Sequence, residues 1–415
     1  MTVSTERRLD VVHSAFRPVY VVWELTLRCD QPCTHCGSRA GDARVDEWST
    51  DEALAFVSDL AAMGAREVVL IGGEAYLHPG FLRIIRALRD HDIRAVMTTG
   101  GRSIDAALAT QMVEAGLQGV SVSVDGLEAT HDLMRASRGS FAQAFAAMGH
   151  LRRAGIKQLS ANSNLNRLNQ GEIEPLYERL RDAGVSSWQV QLTTPLGRAA
   201  DRAGMILQPW DLLELVPRIA ALKERAFEEG VLIQPGNNLG YYGPEEAVLR
   251  SLSPTQRDRW RGCPAGRFVM GVESDGAIKG CPSLQTSHYV QGNARRVSLS
   301  QLWNSDTGPI TFTRARTVDE LWGFCKQCPF ASECLGGCTF TAHALMGRPG
   351  NNPYCHYRAR AMAARGLRER LVPVERAPGE PFDNGRFELV EEPLGAADED
   401  HALPKEKLVK IRRAR

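Results

Sequence analysis

The sequence predicts an α/β protein: a parallel sheet or barrel of roughly six strand–helix repeats, followed by a smaller domain organised around cysteines. Three observations lead there. Strand-type apolar runs alternate with helix-periodic segments through the first half of the 415 residues. Strand ends on one side carry polar groups, namely Cys29, Gly72-Gly73-Glu74, Thr98-Thr99, Ser123-Val124-Asp125-Gly126, Asn164 and Thr193-Thr194. Ligands of parallel α/β folds bind at such carboxyl ends. Third, the ten cysteines fall into a group of three near the start and a group of seven in the last third.

Taken in order, the β-branched and aromatic run 19–27 reads as a strand entering the first cysteine group. Thr50 opens a helix with Leu54, Phe56, Val57, Leu60 and Met63 at apolar positions and Gly64 as its stop. Strands follow at 68–71, 94–98, 120–124, 159–164 and 188–192, and helices at 81–90, 106–115, 141–154 and 173–183. A helix over 209–229 leads to a loop-like stretch, 234–244, rich in Gly and Asn. From Cys263 to Cys355, Gly and Pro increase and periodicity weakens, as in a fold organised by metal. A helix at 356–371 precedes an acidic segment, 391–400, and a basic end, 405–415, read as a solvated tail. Residues 382–390 alternate like a strand that packs on its own domain or pairs with a peptide edge.

Composition narrows the function classes. Fifty basic side chains against forty-nine acidic ones leave a net charge of +1, which argues against nucleic acid or an anionic membrane surface as partner. No apolar run approaches the roughly 20 residues of a membrane span. The polar first ten residues lack a secretory pattern, so a cytoplasmic location is expected. A disulfide framework suits small secreted domains, not this chain. Short cysteine spacings in such a chain read as metal ligation, and all-thiolate sites suit zinc or iron–sulfur clusters.

The first group, Cys29-x-x-x-Cys33-x-x-Cys36, brings three thiolates into one loop directly after a strand. Three thiolates on a four-iron cluster leave one iron open, whereas a closed zinc site normally takes four ligands. His35 is a poor fourth ligand because it adjoins Cys36. Here the chain resembles the radical S-adenosylmethionine (SAM) superfamily, whose signature CxxxCxΦC follows the first strand of a partial (β/α)6 TIM-like barrel. The Φ position, usually aromatic, is His35. Gly72-Gly73-Glu74 resembles the family's GGE motif, whose acid meets the methionine amino group, with Ala75 where proline often follows. Ser123 and Asp125 with Arg135 resemble the fourth-strand region, where a serine and an arginine contact the ribose and carboxylate of SAM. An Arg fork suits a carboxylate. The resemblance also implies a main-chain contact with adenine at Leu192 and a polar contact at Asn164.

The later group reads Cys263, Cys281, then Cys325-x2-Cys328-x5-Cys334-x3-Cys338, then Cys355, with Gly276 five residues before Cys281. It resembles the SPASM domain, a C-terminal auxiliary iron–sulfur domain of radical SAM maturases. By that resemblance Cys325, Cys328, Cys334 and Cys355 hold an outer [4Fe–4S] cluster, and Cys263, Cys281 and Cys338 an inner one. The inner set is one thiolate short, and its fourth ligand stays open between a non-cysteine group, substrate and a vacant iron. Four of these thiolates would also satisfy zinc.

The expected division is an arm at 1–17, a barrel at 18–230, a linker at 231–260, the auxiliary domain at 261–360, and a helix with charged tail at 361–415. The resemblance implies SAM and three [4Fe–4S] clusters, reductive cleavage of SAM to a 5′-deoxyadenosyl radical, and hydrogen abstraction from a ribosomally made precursor peptide. The product is then a crosslink, an epimer or an oxidised residue. Pro282 stands where formylglycine-forming relatives place an aspartate base, which disfavours that reaction. Expected partners are the peptide, a separate peptide-recognition protein or a groove in its place, and a flavodoxin- or ferredoxin-like electron donor. The catalytic acid or base is not legible. A small-molecule radical SAM enzyme and a non-catalytic electron-transfer or zinc protein are the rival classes.

Overall fold

The β-branched and aromatic residues of Tyr20–Thr26 (β1) fill both faces of a central strand, and the computed structural model, which describes residues 16–397, places it mid-sheet. Its parallel neighbours follow in chain order: Glu67–Gly72 (β2), Arg94–Thr99 (β3), Gly119–Ser123 (β4), Gln158–Leu165 (β5), Ser187–Leu192 (β6) and Leu232–Pro235 (β7). Between them run Thr50–Ala62 (α1), Phe81–Asp90 (α2), Ala106–Ala115 (α3), Glu128–Arg135 (α4), Ser140–Ala154 (α5), Ile173–Asp182 (α6) and Leu212–Glu228 (α7). Local chemistry sets these ends. Ser49 and Glu52 form a reciprocal capping box on α1, Asp105 caps α3, and Gly116 and Gly155 terminate α3 and α5 in left-handed conformation.

The sheet is larger than six strands. Val269–Val272 (β8) pairs in parallel with the free edge of β1, and the antiparallel Ala277–Lys279 (β9) and Gly292–Asn293 (β10) extend it. The full order is β10-β9-β8-β1-β2-β3-β4-β5-β6-β7. The fold is therefore the mixed α/β partial barrel expected of the sequence, with the auxiliary domain's first strands joined to the barrel sheet. Two sequence expectations need correction. Gln234 and Pro235, read as loop, end β7, because the short apolar run before them pairs with β6 at Ser187↔Leu232. The helix expected over 356–371 stops at Ala364: Gly366 turns left-handed, and Leu367–Glu375 (β11) pairs with Arg386–Pro393 (β12). The alternation read at 382–390 thus belongs to a strand that starts at Arg386 and packs on its own hairpin. The basic end, 405–415, lies outside the described residues. Among the described residues no helix is long and apolar enough to cross a membrane.

One face of each strand packs on the helices. Trp23, Leu70, Met97, Val122, Ala161 and Val190 are buried there with Phe56, Ile84, Met112 and Tyr177. Trp23, Trp48 and Phe56 meet at ring separations of 4.7 to 5.9 Å. The opposite face lines a half-open lumen. Across β4 to β6 it carries Ser121, Ser160, Asn162, Asn164, Ser187, Gln189 and Gln191, joined by Asn162 to Ser121 at 3.3 Å, Ser160 to Ser187 at 2.7 Å and Gln191 to Asn164 at 3.0 Å. Arg94 closes the floor on Glu67 at 2.5 Å. A buried ionic network ties the two domains: Arg44 to Glu24 at 3.1 Å, Ser274 to the same carboxylate, and Lys279 to Glu273 at 2.6 Å. It fixes β1 against the hairpin that leads into Cys281.

Candidate cofactor and metal site

The chain leaves β1 at Thr26 and turns at once into the first cysteine loop. Two glycines let β2 end flush against it. A Cβ on Gly72 would lie 2.1 Å from the Thr26 oxygen, and one on Gly73 2.0 Å from that of Arg28. The backbone bonds Gly73 N–H to Thr26 O (2.8 Å) and Glu74 N–H to Arg28 O (2.7 Å) close that contact. Glu74 is thereby delivered to the loop. Its carboxylate accepts from Thr99 Oγ1 at 2.5 Å and Gly100 N–H at 2.6 Å. A ligand atom each from Cys29, Asp30 and Glu74 lies within 4.8 Å of the others. Burial lifts the Glu74 carboxyl to about 7 against the pull of these hydrogen bonds.

On the other side of the loop, Asp125 organises a second cluster of predicted residues. It is fully buried, and its Oδ2 lies 2.5 Å from an Arg135 nitrogen and 3.2 Å from His35 Nε2. Its Oδ1 accepts the Asn164 N–H at 2.8 Å. Burial alone would raise this carboxyl, but Arg135 and His35 outweigh it and hold it well below the carboxylate range. Arg135 in turn reaches Cys33 Sγ at 3.6 Å. Asp125 is thus an anchor for His35 and Arg135, a role its sequence position did not reveal. Ser123 ends β4 opposite Asn162, and its backbone belongs to the sheet. Leu192 ends β6. Both of its main-chain polar groups are engaged by Asn238, whose amide donates to Leu192 O (2.7 Å) and accepts from Leu192 N–H (3.2 Å).

Sequence reading missed the residues that brace the loop from behind. Arg198 donates to Cys33 O at 2.7 Å and Ala40 O at 3.0 Å, and Arg202 donates to Thr34 O at 3.1 Å. Both follow the Pro-Leu-Gly turn after β6, which was the available signal. Thr99 was marked only as part of a polar strand end, and Gly100 was not singled out.

The three thiols suit a shared metal group. Burial pushes Cys29 up to about 12, with Glu74 and the other two sulfurs adding to it, and burial likewise raises Cys33 despite Arg135. A cationic cluster removes that penalty by holding the sulfurs as thiolates. Buried polar atoms around the loop, Gln31 Nε2, His35 Nδ1 and Arg135 Nε, have no protein partner, as a site built for a polar cofactor requires. A Cβ on Gly100 would lie 2.1 Å from Gln31 Oε1 and 2.9 Å from Glu74 Oε1, so a larger residue there would displace these side chains.

The later cysteines lie among one another as electrostatic neighbours. Cys263 and Cys281 feel each other and Cys338, and burial lifts them to about 12 and 11. Burial lifts Cys334 to about 12, with Cys325 and Cys328 adding to it, and burial raises Cys355, with Cys334 and Cys325 adding to it. Cys325, Cys328, Cys334 and Cys355 line one apolar cavity whose remaining walls include Tyr242, Phe324, Phe330 and Tyr357. All ten cysteines are free thiols.

Comparison with known proteins agrees with this geometry. Residues 23–180 match the model of the radical SAM superfamily, and residues 263–329 that of the SPASM iron–sulfur cluster-binding domain. An AdoMet-dependent heme synthase of Nitratidesulfovibrio vulgaris is 27% identical over 365 residues, covering 82% of this chain and 93% of that protein. Mycofactocin maturase MftC of Mycobacterium tuberculosis is 26% identical over 398 residues, 94% of this chain and 92% of the relative. Among solved structures, anSMEcpe with bound AdoMet and a Cp18Cys peptide superposes with a TM-score of 0.65 at 17% identity, covering 82% of this chain and 94% of that one. Streptococcus suis SuiB bound to its precursor peptide SuiA gives 0.62 at 15%, covering 81% and 75%. Fold and family models agree: the chain carries a radical SAM domain over residues 23–180, followed by a SPASM iron–sulfur cluster-binding domain over residues 263–329.

Proposed function

We propose that the protein modifies a ribosomally made peptide by radical chemistry, using one SAM-binding and two auxiliary [4Fe–4S] clusters. When bound, SAM and its cluster supply a one-electron cleavage that generates a hydrogen-abstracting 5′-deoxyadenosyl radical. The chain's own residues bind, orient and exclude water. Cys29, Cys33 and Cys36 present three thiolates and leave one iron position for SAM. Glu74 receives the cationic amino group, and Arg135, aimed by Asp125, receives the carboxylate. His35, held by Asp125 through Nε2, keeps a buried Nδ1 that has no protein partner and would be available to the cofactor, with Ser123, Asn164 and Leu192 at the adjoining strand ends. Cys325, Cys328, Cys334 and Cys355 hold the outer cluster, and Cys263, Cys281 and Cys338 the inner one.

The observation that carries the peptide reading is the lumen. Its β4–β6 face offers the neutral hydroxyls and amides of Ser121, Ser160, Asn162, Asn164, Ser187, Gln189 and Gln191, and Arg94 at the floor is already paired with Glu67. Such a surface suits amide hydrogen bonding, whereas a polycarboxylate asks for guanidinium forks. The similarity to MftC, which extends over 94% of this chain, also supports it. A tetrapyrrole substrate is the second reading, favoured by the heme synthases among the relatives.

Co-expression with each short peptide encoded beside the gene, followed by mass spectrometry, tests the choice. A mass change in one peptide that disappears in the Cys29→Ala variant is the expected result. Unmodified peptides together with turnover of iron coproporphyrin would favour the tetrapyrrole.

A further inference from the structure

We propose that the tip of the C-terminal hairpin, residues 379–384 between β11 and β12, forms a wall of the SAM-cluster site, with Asp383 and Arg39 as positioning residues for the cysteine loop. The inference rests on the reading of Cys29, Cys33 and Cys36 as holders of that cluster.

Arg39 lies three residues beyond Cys36, and its planar fork is shared between two carboxylates. Its Nε and one terminal nitrogen donate to Asp383 at 2.9 and 3.2 Å, while both terminal nitrogens donate to Asp201 at 2.7 and 2.9 Å. The Asp383 carboxylate also accepts the N–H groups of Gly379 (2.5 Å) and Glu380 (2.9 Å), so the turn of the tip is built around it. Main-chain bonds complete the seam. Phe382 N–H donates to Gly37 O at 3.1 Å, Gly197 N–H donates to Asp383 O at 2.7 Å, and Leu196 bridges Asn384. Three segments remote in sequence therefore meet directly behind Cys36: the cysteine loop, the turn after β6 and the hairpin tip.

Two further observations separate this seam from ordinary surface packing. Arg39 and Phe382, both non-glycine, adopt left-handed backbone with φ of 51° and 56°. Such conformations persist where their surroundings over-determine them, and they gather at functional sites. The Phe382 ring is buried and sits 4.0 Å from Lys279 Nζ, two residues before Cys281. One side of the tip thus touches the SAM-cluster loop and the other the strand leading to the inner cysteine set. That contact fixes their separation.

The test uses the full chain carrying Asp383→Asn or Arg39→Lys. In the metal-free protein, hydrogen exchange of peptides spanning 33–41 is expected to accelerate tenfold or more, with peptides from α2 and α3 unchanged. In the reconstituted protein, SAM affinity is expected to fall about tenfold and the EPR line shape of the reduced SAM-bound cluster to change, with auxiliary iron retained. A merely structural contact would lower the melting temperature and leave both cofactor readouts unmoved, which would overturn the proposal. Unchanged exchange at 33–41 would overturn it equally. If Asp383→Asn does not fold, Arg39→Lys decides alone, because it keeps the charge and removes only the fork. A wild-type protein that binds iron but no SAM refutes the underlying cluster reading, and the exchange experiment still decides the seam.

Discussion

Replacing Asp125 by asparagine removes one charge from the most tightly bonded carboxylate of the site. Asp125 is fully buried and faces Arg135 at 2.5 Å and His35 at 3.2 Å. Asparagine keeps the shape and one acceptor for the Asn164 N–H but leaves the guanidinium, itself only 7% exposed, without a carboxylate in direct contact, Glu74 acting only at longer range. Neighbouring Cys33 cannot substitute, because burial holds its thiol neutral. Breaking a buried pair on one side costs about 3–5 kcal/mol, a drop of roughly two to three and a half decades in the folding constant. Urea unfolding of the metal-free protein at pH 7.5, followed by tryptophan fluorescence, reads that loss. The double variant Asp125→Asn with Arg135→Met removes both charges and is expected to recover most of the stability. It is not expected to recover SAM binding, since the carboxylate fork is gone. A single variant that loses under about 1 kcal/mol, or a double variant no more stable than the single, would refute the electrostatic account. A double variant with wild-type SAM affinity would refute the assignment of Arg135.

Three further outcomes are expected. Gly73→Ala places a Cβ about 2.0 Å from Arg28 O and must part β2 from the cysteine loop; calorimetry should show SAM affinity reduced ~5-fold or more, as overpacking by about 1–3 kcal/mol implies, and native affinity would contradict the close-approach argument. Buried Lys223, bonded to the Leu249 and Ser251 carbonyls, is lowered by burial to about 7 from an ordinary 10.5. Between those values the unfolded chain binds a proton that the fold excludes, so stability should rise from pH 7.5 to 9.5 in the wild type, and this increment should vanish in Lys223→Met. Cys355→Ser should abolish the outer cluster alone, so iron analysis after anaerobic reconstitution should show about four irons fewer per chain if that site holds a [4Fe–4S] cluster; an unchanged iron content would dissolve the outer set.

Legibility followed the range of the interactions. The helices at Phe81–Asp90 and Ala106–Ala115 were readable to the residue because their periodicity and caps are local. The grouping of the cysteines into three and seven was readable from their positions alone, whereas the division of the seven came only from the resemblance. Glu74 and Arg135 were found through motifs, but the carboxylate that aims Arg135 was recognised only as part of a strand-end sequence. β7 and β11 escaped because strands of low alternation take their identity from the neighbour they pair with, here β6 and β12. Arg39 and Asp383, 344 residues apart, leave no local trace of their pairing. The same holds for Asn238, which engages the Leu192 backbone from 46 residues away.

The central claim is that Cys29, Cys33 and Cys36 hold a cluster that cleaves SAM reductively, while the other seven thiols serve separate centres. Its most direct test is 5′-deoxyadenosine formation by anaerobically reconstituted protein with dithionite and SAM, comparing the wild type with the Cys29→Ala, Cys33→Ala, Cys36→Ala triple variant. The account predicts 5′-deoxyadenosine from the wild type and none from the variant, which still carries its auxiliary iron. Equal product from both proteins, or none from a wild type fully loaded with iron, would contradict it.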